Sequence, residues 1–261
     1  MARIGVGVVL WMVGTVCFAV PYTVEITPTA DAFVRSLVPG ANYGAAGALA
    51  VSGSSALNGA GQQMGILDTF MKFNVAGVVA QMDAQFGAGN WEFTDAVLRL
   101  TEDPAPQNPI FNWGVGQFEI RWIASDAWLE GTGQPLYVPP RTDGVCYADE
   151  ATFLNPAVDA ALGLFSNTLT AGDHLYALDL AGPFVDDLMD AGDVSFFLTA
   201  SDESVGFTFY SRSVSGGRPF PTLYLTADVA AQAVPEPATA TLLLVGMLGA
   251  FGRLRRRRRA P

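Results

Sequence analysis

The sequence QFEIRW, residues 117–122, alternates strictly between polar and apolar side chains. Phe118, Ile120 and Trp122 fall on one side of the alternation, and a glutamine, a glutamate and an arginine fall on the other. Successive side chains of a β-strand point to opposite faces, so this period of two collects the apolar side chains on one face. The stretch therefore predicts a half-buried strand.

The same period recurs along the chain. It places Leu98 and Leu100 on one face of a second strand and Phe207 and Phe209 on one face of a third. Six more strands are predicted at residues 22–27, 48–52, 70–75, 175–180, 194–199 and 222–226. Strands separated by Gly, Pro, Asn and Asp indicate an all-β fold, an antiparallel sandwich or barrel, over residues 20–227.

Three other segments interrupt the strand pattern. Residues 78–86 and 184–191 are predicted to be short helices that cap the sheets. Residues 131–149 are predicted to be a loop, because Pro139 and Pro140 cannot donate to a strand ladder.

The N-terminus has the pattern of a secretory signal. Arg3 precedes an apolar stretch over residues 4–16, and Ala19 supplies the small residue before a cut ahead of Val20. Residues 1–19 are therefore predicted to be a signal peptide that signal peptidase removes. Cys146 is then the remaining cysteine, and one thiol cannot form an internal disulfide.

The C-terminus contains a second membrane-directed segment. After a predicted linker at residues 228–234 come a Pro-Glu-Pro triplet, an apolar run and an arginine cluster. The run from 238 to 251 has 14 residues, fewer than the roughly 20 of a permanent span. We predict a short transmembrane helix at 238–252 and a cytoplasmic tail at 253–259. The stop-transfer residues are Arg255, Arg256, Arg257, Arg258 and Arg259.

Charge limits the partners of the exported segment. Between the two sorting segments seven basic and 24 acidic residues remain, a net charge of about −17. Such a surface repels nucleic acid phosphates and anionic lipids. We therefore predict no nucleic acid partner.

The order of triplet, apolar run and basic tail resembles the PEP-CTERM sorting signal of Gram-negative bacteria, with Pro235, Glu236 and Pro237 as the motif. The resemblance implies export, transient anchoring in the inner membrane and cleavage near the triplet by exosortase. Release to the cell surface or to an extracellular polymer matrix would follow. An ordinary single-span anchor is the alternative.

The exported segment resembles a second family, the DNRLRE domain, a jelly-roll β-sandwich related to carbohydrate-binding modules. The stretches that carry the likeness are ADAFVRS (30–36), NYG (42–44), MKFNV (71–75), DAVLRL (95–100), AWLEGTG (127–133) and YSRSVSGGRPFPTLYL (210–225). The motif that gives the family its name cannot be identified in this sequence. The resemblance implies the jelly-roll fold and a non-catalytic module.

Few residues suit catalysis. His174 is the single histidine, so a histidine-based nucleophile triad has one candidate base and a histidine-rich metal site is excluded. Glu130, within WLEGTG, is the acid of most interest, since flanking glycines would let a ligand approach. A turn acid that caps backbone amides is the preferred alternative. We predict that the protein is not an enzyme.

Two kinds of ligand remain open. Asp31, Asn42, Glu130 and Asp143 offer the oxygen ligands that a structural calcium ion prefers, although they lack EF-hand spacing and could be ordinary turn residues. Trp113 and Trp128 are the candidate platforms for stacking a sugar ring, or else hydrophobic lids. No other cofactor is predicted.

Two functional classes follow. The first is a non-catalytic surface or matrix protein, and the second is a carbohydrate-binding module for a neutral glycan of an extracellular polysaccharide.

Overall fold

A computed structural model describes residues 20–58, 60–102, 114–168 and 170–230. The predicted signal peptide, Trp113, linker residues 231–234, the Pro-Glu-Pro triplet and the arginine tail lie outside these ranges. Within them, no helix combines the length and the apolar character that crossing a membrane requires.

The described residues include eleven strands and three helices. The strands are β1 (Tyr22–Ile26), β2 (Ala30–Arg35), β3 (Ala48–Ser52), β4 (Leu67–Asn74), β5 (Trp91–Glu102), β6 (Gly116–Ile123), β7 (Ala160–Asn167), β8 (Gly172–Ala177), β9 (Asp193–Ala200), β10 (Gly206–Tyr210) and β11 (Thr222–Val229). The helices are α1 (Ala76–Phe86), α2 (Glu150–Phe153) and α3 (Gly182–Met189), and a 3₁₀ turn at Tyr147–Asp149 precedes α2.

Antiparallel pairing arranges the strands in two sets. In the first set the order is β1-β11-β5-β10-β3, and β8 also pairs with β5. In the second set the order is β4-β9-β6-β7, and β2 pairs with β4. A single residue pair, Ser52 with Leu67, joins β3 to β4. The protein is therefore all-β with antiparallel strands.

The apolar face of residues 117–122 lies in the core between the two sets. Phe118 and Ile120 are fully buried, and Trp122 is nearly so. The Phe118 ring centroid lies 4.7 Å from that of Phe207 in β10 and 5.3 Å from that of Tyr176 in β8. Neither strand pairs with β6, so these contacts cross between facing sets. Burial of each such side chain stabilises the fold by about 1.5–3 kcal/mol. The predicted inward faces of these strands are confirmed.

A long segment covers the outer face of the second set. We call residues 124–159, which connect β6 to β7, the strap. Trp128 and Val145 of the strap pack with Phe70 of β4 and Phe197 of β9 in a second buried cluster. As a result β4 is buried on both faces, and seven of its eight residues are inaccessible.

The structure corrects the predicted elements at four places. Strands β2 and β7 are not among the predicted strands. Strand β2 lacks an alternating pattern because both of its faces are buried. Strand β7 contains Gly163, which lies next to a shift in the register of β7 with β6. The predicted loop at 131–149 ends in the 3₁₀ turn rather than continuing as a loop. Strand β11 includes the first two residues of the predicted linker, because β5 extends far enough for Asp228 to pair with Glu92 and Val229 with Trp91.

Candidate functional site

Three of the four predicted calcium ligands meet where the strap crosses two loops. Asp31 lies in β2, Asn42 lies between β2 and β3, and Glu130 lies in the strap. Arg212, which follows β10, completes the cluster. Arg212 is not among the predicted site residues, although it lies within the YSRSVSGG stretch. We call these four residues the strap junction.

Asn42 uses every hydrogen-bonding position of its amide. Its Nδ2 donates to the carbonyl oxygens of Glu130 at 2.6 Å and of Val145 at 3.0 Å. Its Oδ1 accepts from the backbone amides of Gly44 at 3.2 Å and Gly133 at 2.9 Å. An amide has two donors and two acceptor sites, so Asn42 is saturated by protein groups. The side chain joins the loop after β2 to both ends of the strap's long turn.

Glu130 links the strap to two other segments. Its Oε1 accepts from the backbone amide of Asp31 at 3.2 Å, and its Oε2 accepts from Arg212 Nη1 at 2.6 Å. The backbone amide of Arg212 in turn donates to Asp31 Oδ2 at 2.7 Å. Each carboxylate thus accepts from the backbone of a different segment. This is the role of a turn acid that caps backbone amides.

Asp31 is the most perturbed acid of the junction. It is fully buried, and burial raises the pKa of its carboxyl to about 7, with the charge of Glu130 acting in the same direction. The backbone hydrogen bond and the charge of Arg212 oppose this rise. Its Oδ1 is buried without a hydrogen-bond partner. Among the described residues this oxygen therefore has neither a donor for its ionised form nor an acceptor for a proton.

Asp143 lies apart from the other three residues in its bonding. Its two oxygens accept from the backbone amide of Thr132 at 3.0 Å and from the Thr132 hydroxyl at 2.6 Å. These hydrogen bonds lower the pKa of the carboxyl. Asp143 therefore closes a turn within the strap.

The glycines around Glu130 serve close packing. A Cβ on Gly131 would lie 2.4 Å from Asn42 Oδ1, and one on Gly44 would lie 2.0 Å from the carbonyl oxygen of Glu130. Gly133 and Gly144 are equally crowded by Asn42 and its neighbours. The predicted opening for a ligand beside Glu130 is therefore wrong, because Asn42 and backbone atoms fill that space.

The calcium expectation meets the same obstacle. The described residues include no group of three or more His, Cys, Asp or Glu side chains placed to hold a metal ion. Asp31, Asn42 and Glu130 do come together, but most of their oxygens already accept from protein donors. Asp143 joins Thr132 instead.

A second acidic pair lies beneath the strap. Asp68 of β4 and Glu150 of α2 share a hydrogen bond, and each has one buried oxygen without a partner. Burial raises the pKa of both carboxyls, and the charge of Asp68 raises that of Glu150 further. The pair therefore favours a state in which one proton is shared between the strap and the sheet.

Trp128 cannot stack a sugar ring in this structure. Its side chain is fully buried, and its Nε1 donates to Ser195 Oγ at 3.0 Å. Lys72 Nζ lies 4.7 Å from its ring centroid and donates to the carbonyl oxygens of Asp126 at 2.6 Å and of Trp128 at 3.0 Å. The prediction of Trp128 as a glycan contact is therefore wrong, since the strap uses this residue as a core anchor.

His174 makes no triad with the one described cysteine. Its Nε2 lies 2.7 Å from the carbonyl oxygen of Thr170 and 3.5 Å from Oε2 of the buried Glu102. Both neighbours are acceptors, so this nitrogen carries the proton. Cys146 donates its thiol hydrogen to Asp149 Oδ2 at 3.0 Å within the strap. The two side chains therefore belong to separate parts of the fold.

A surface groove of about 520 Å³ lies beside the strap junction, outside the first strand set. The groove is lined by short and polar side chains together with a valine, a phenylalanine, a tyrosine and an arginine. Its lining comprises Ala45, Ala46, Gly47, Ala48, Gln134, Thr208, Phe209, Tyr210, Ser213, Val214, Ser215 and Arg218. The Arg218 guanidinium lies 4.8 Å from the Tyr210 ring centroid and bonds to its hydroxyl. No acid is among the residues that line the groove, in a segment that carries 24 acids.

Residues 233–259 match the family model of the PEP-CTERM protein-sorting motif. The match covers the triplet, the apolar run and the arginine cluster. It indicates an exported protein that exosortase processes after transient anchoring in the membrane. No curated protein matches the chain.

Proposed function

We propose that the protein is a non-catalytic component of the cell surface or the extracellular matrix, delivered there as an exosortase substrate. The observation that carries the proposal is the match of residues 233–259 to the sorting motif, attached to a folded β-domain. The saturated hydrogen bonding of Asn42 and the two protein donors to Glu130 support a structural role for the strap junction. An extracellular polysaccharide is the proposed surrounding.

We also propose that the domain is a jelly roll of the DNRLRE type. The order β3-β10-β5-β8 in one set and β4-β9-β6-β7 in the other supports this. A jelly roll consists of eight strands in two sheets that are connected by Greek keys. Strands β1, β2 and β11 would be additions to that plan.

Mass spectrometry of the protein exported by its native host tests the sorting proposal. Cleavage near Pro235-Glu236-Pro237 should yield mature chains that begin at Val20 and lack the arginine cluster. Replacing the triplet with alanines should leave an uncut, membrane-bound precursor. Replacing all five arginines with serine should weaken retention and reduce processing, because the charges that hold the segment on the cytoplasmic side are gone. Extracellular chains that still carry Arg255–Arg259 as the main species would contradict the proposal.

A second candidate function is binding of a neutral glycan, favoured by the acid-free groove. Gln134, Thr208 and Ser213 offer hydrogen-bonding groups there, and Tyr210 offers an aromatic ring. We expect binding to a neutral glycan on a glycan array to weaken in Tyr210→Ala. Tyr137→Ala is the matched control, since Arg141 lies over that ring 5.6 Å from its centroid in a separate loop. Equal binding by both variants would remove the groove as the site.

A further inference from the structure

The two ends of the domain lie side by side. Tyr22, in the first strand, pairs with Ala227 in the last. After β11 ends, the amide of Ala230 donates to the carbonyl oxygen of Asn90 at 2.8 Å. We call this end of the domain, marked by Tyr22, Asn90 and Ala230, the terminal pole. The chain enters from the predicted signal peptide and leaves toward the sorting segment at the same pole.

The opposite end is the distal pole, formed by residues 53–58, 60–66 and 201–205. Strand β5 begins at Trp91 beside the terminal pole, and its 12 residues extend about 40 Å toward the distal pole. Eight residue steps separate Ala230 from Ala238, where the predicted span begins, and at full extension they reach about 29 Å, less than the length of β5. While the sorting segment spans the membrane, this tether is too short for the domain to turn its distal pole to the bilayer.

Helix α1 closes the terminal pole and has an uncharged outer face. Val78 and Met82 are buried in the main core, and the helix lies against β1, β5 and β11. Its exposed side chains belong to alanine and glutamine, at positions 80, 81, 84 and 85. Between residues 75 and 90 the one ionisable side chain is Asp83, which accepts from Trp91 Nε1 at 2.8 Å.

This face contrasts with its surroundings. Helix α3, at the same end of the strands, carries Asp186 and Asp187, Asp190 follows it directly, and Asp187 accepts from Trp122 Nε1 of β6. Glu92 and Asp228 flank the terminal pole on the outer face of the sheet. Anionic headgroups repel acidic side chains within about 10 Å at moderate ionic strength. Helix α1 carries one acid, Asp83, and its outer face can therefore approach such headgroups with less electrostatic repulsion than the acidic side of α3.

We propose that in the membrane-anchored precursor the domain stands with its terminal pole toward the bilayer and with the outer face of α1 against the lipid headgroups. The inference rests on the proposed sorting function, which supplies the anchored state. Cleavage at the triplet then takes place in the narrow gap between α1 and the membrane. Acidic residues placed on α1 would be repelled by anionic headgroups and would move the domain away from the membrane. Because the connecting chain has a limited length, this displacement would hinder cleavage.

Quenching by labelled lipid measures the orientation. The precursor that begins at Val20, with the triplet replaced by alanines and with Cys146→Ser, is reconstituted in vesicles of phosphatidylethanolamine and phosphatidylglycerol. A fluorophore is attached at Ala84→Cys on α1, or at Ser201→Cys on the distal pole. We expect a headgroup nitroxide to quench the Ala84 probe several times more strongly than the Ser201 probe. Equal quenching at the two positions would overturn the proposal.

A charge series in the native host tests the consequence for processing. The pair Ala80→Glu and Ala84→Glu adds two exposed acids to α1, while Gln63→Glu and Ser201→Glu adds the same charge at the distal pole. We expect cleavage and release of the variant with two new acids on α1 to slow about tenfold, since each charge near an anionic surface changes the affinity of the protein for that surface severalfold. Release of the distal pair should match that of the unaltered chain.

The outcomes separate the two proposals. If the triplet-alanine variant is still cut and released, the sorting function fails. If that variant stays uncut but the two charge pairs are released at equal rates, the sorting function stands and the orientation fails. If the Ala84 probe is shielded in host membranes but not quenched in the pure lipid vesicles, α1 faces a membrane protein, and contact with lipid is refuted.

Discussion

Replacing Asn42 with aspartate separates a structural junction from a calcium site. Asn42→Asp keeps the shape of the side chain and the oxygen that accepts from Gly44 and Gly133. It replaces the two donors to Glu130 and Val145 with a second oxygen, which would lie near 2.6 Å and 3.0 Å from two carbonyl oxygens. A carboxylate there repels both carbonyls, so the new carboxyl should retain a proton and donate to one of them.

The expected loss in free energy of unfolding follows from keeping that carboxyl protonated in the folded state. An aspartate of the unfolded chain has a pKa of about 3.9, and each pH unit above it adds about 1.36 kcal/mol to the free energy of keeping the folded carboxyl protonated. At pH 7 this amounts to about 4 kcal/mol, and the one hydrogen bond still missing adds about 1 kcal/mol. The folded pKa is raised, so the destabilisation is small near pH 4 and grows as the pH rises. For a domain of this size, about 5 kcal/mol corresponds to a fall in Tm of about 10–20 °C.

Thermal unfolding of the processed protein, followed by circular dichroism at pH 4 and pH 7, measures this difference. Asn58→Asp is the matched control, because its exposed Oδ1 accepts from the amides of Ala60 and Gln62 and a carboxylate accepts from them equally well. We expect the control to change Tm little at either pH. An equal loss of Tm by Asn42→Asp at both pH values would refute the reasoning. Calcium that raised the Tm of the variant above that of the unaltered protein would restore the metal-site interpretation.

Three further predictions concern the strap and its attachment. Burial raises the pKa of Asp68 and Glu150, so the folded state keeps protons that the unfolded chain releases above about pH 4–5 and stability falls as the pH rises. Asp68→Asn should flatten that fall in a series of thermal melts. Lys72→Met should lower the free energy of unfolding in urea by about 2–4 kcal/mol, because two carbonyl oxygens lose a charged donor; an unchanged midpoint would contradict this. Gly131→Ala should destabilise by several times more than Gly61→Ala, since both have φ near +75° but only the former meets a crowded site.

Alternation was sufficient to predict the strands that have one buried and one exposed face. Residues 117–122 are the clearest case, and β5 follows the same rule over most of its length. It failed at β2, where the strap buries the second face as well, so that ADAFVR contains no periodic signal. The local sequence of β2 cannot predict this burial, because the strap that covers the strand lies about 100 residues away in the chain.

The strap junction was likewise predicted only in part from the sequence. The sequence predicted Asp31, Asn42 and Glu130 as calcium ligands, and the fold brings these three residues together through hydrogen bonds. It could not show that backbone amides and Arg212 donate to most of their oxygens, because those donors come mainly from segments distant in the chain. The error at Trp128 has the same origin: its exposure depends on where the strap lies, and its neighbours in sequence do not determine this.

Lys72 is the one lysine in the chain, and its ammonium group is enclosed by two carbonyl oxygens and an indole ring. Acylating reagents, aldehydes and reducing sugars all react with an accessible, unprotonated amine. In the mature protein the α-amine at the N-terminus is then the one reactive amine, so glutaraldehyde fixation and glycation should attach there and leave the β-domain unmodified. The mature chain would in this way have almost no site for the slow browning reactions by which reducing sugars cross-link lysine-rich proteins.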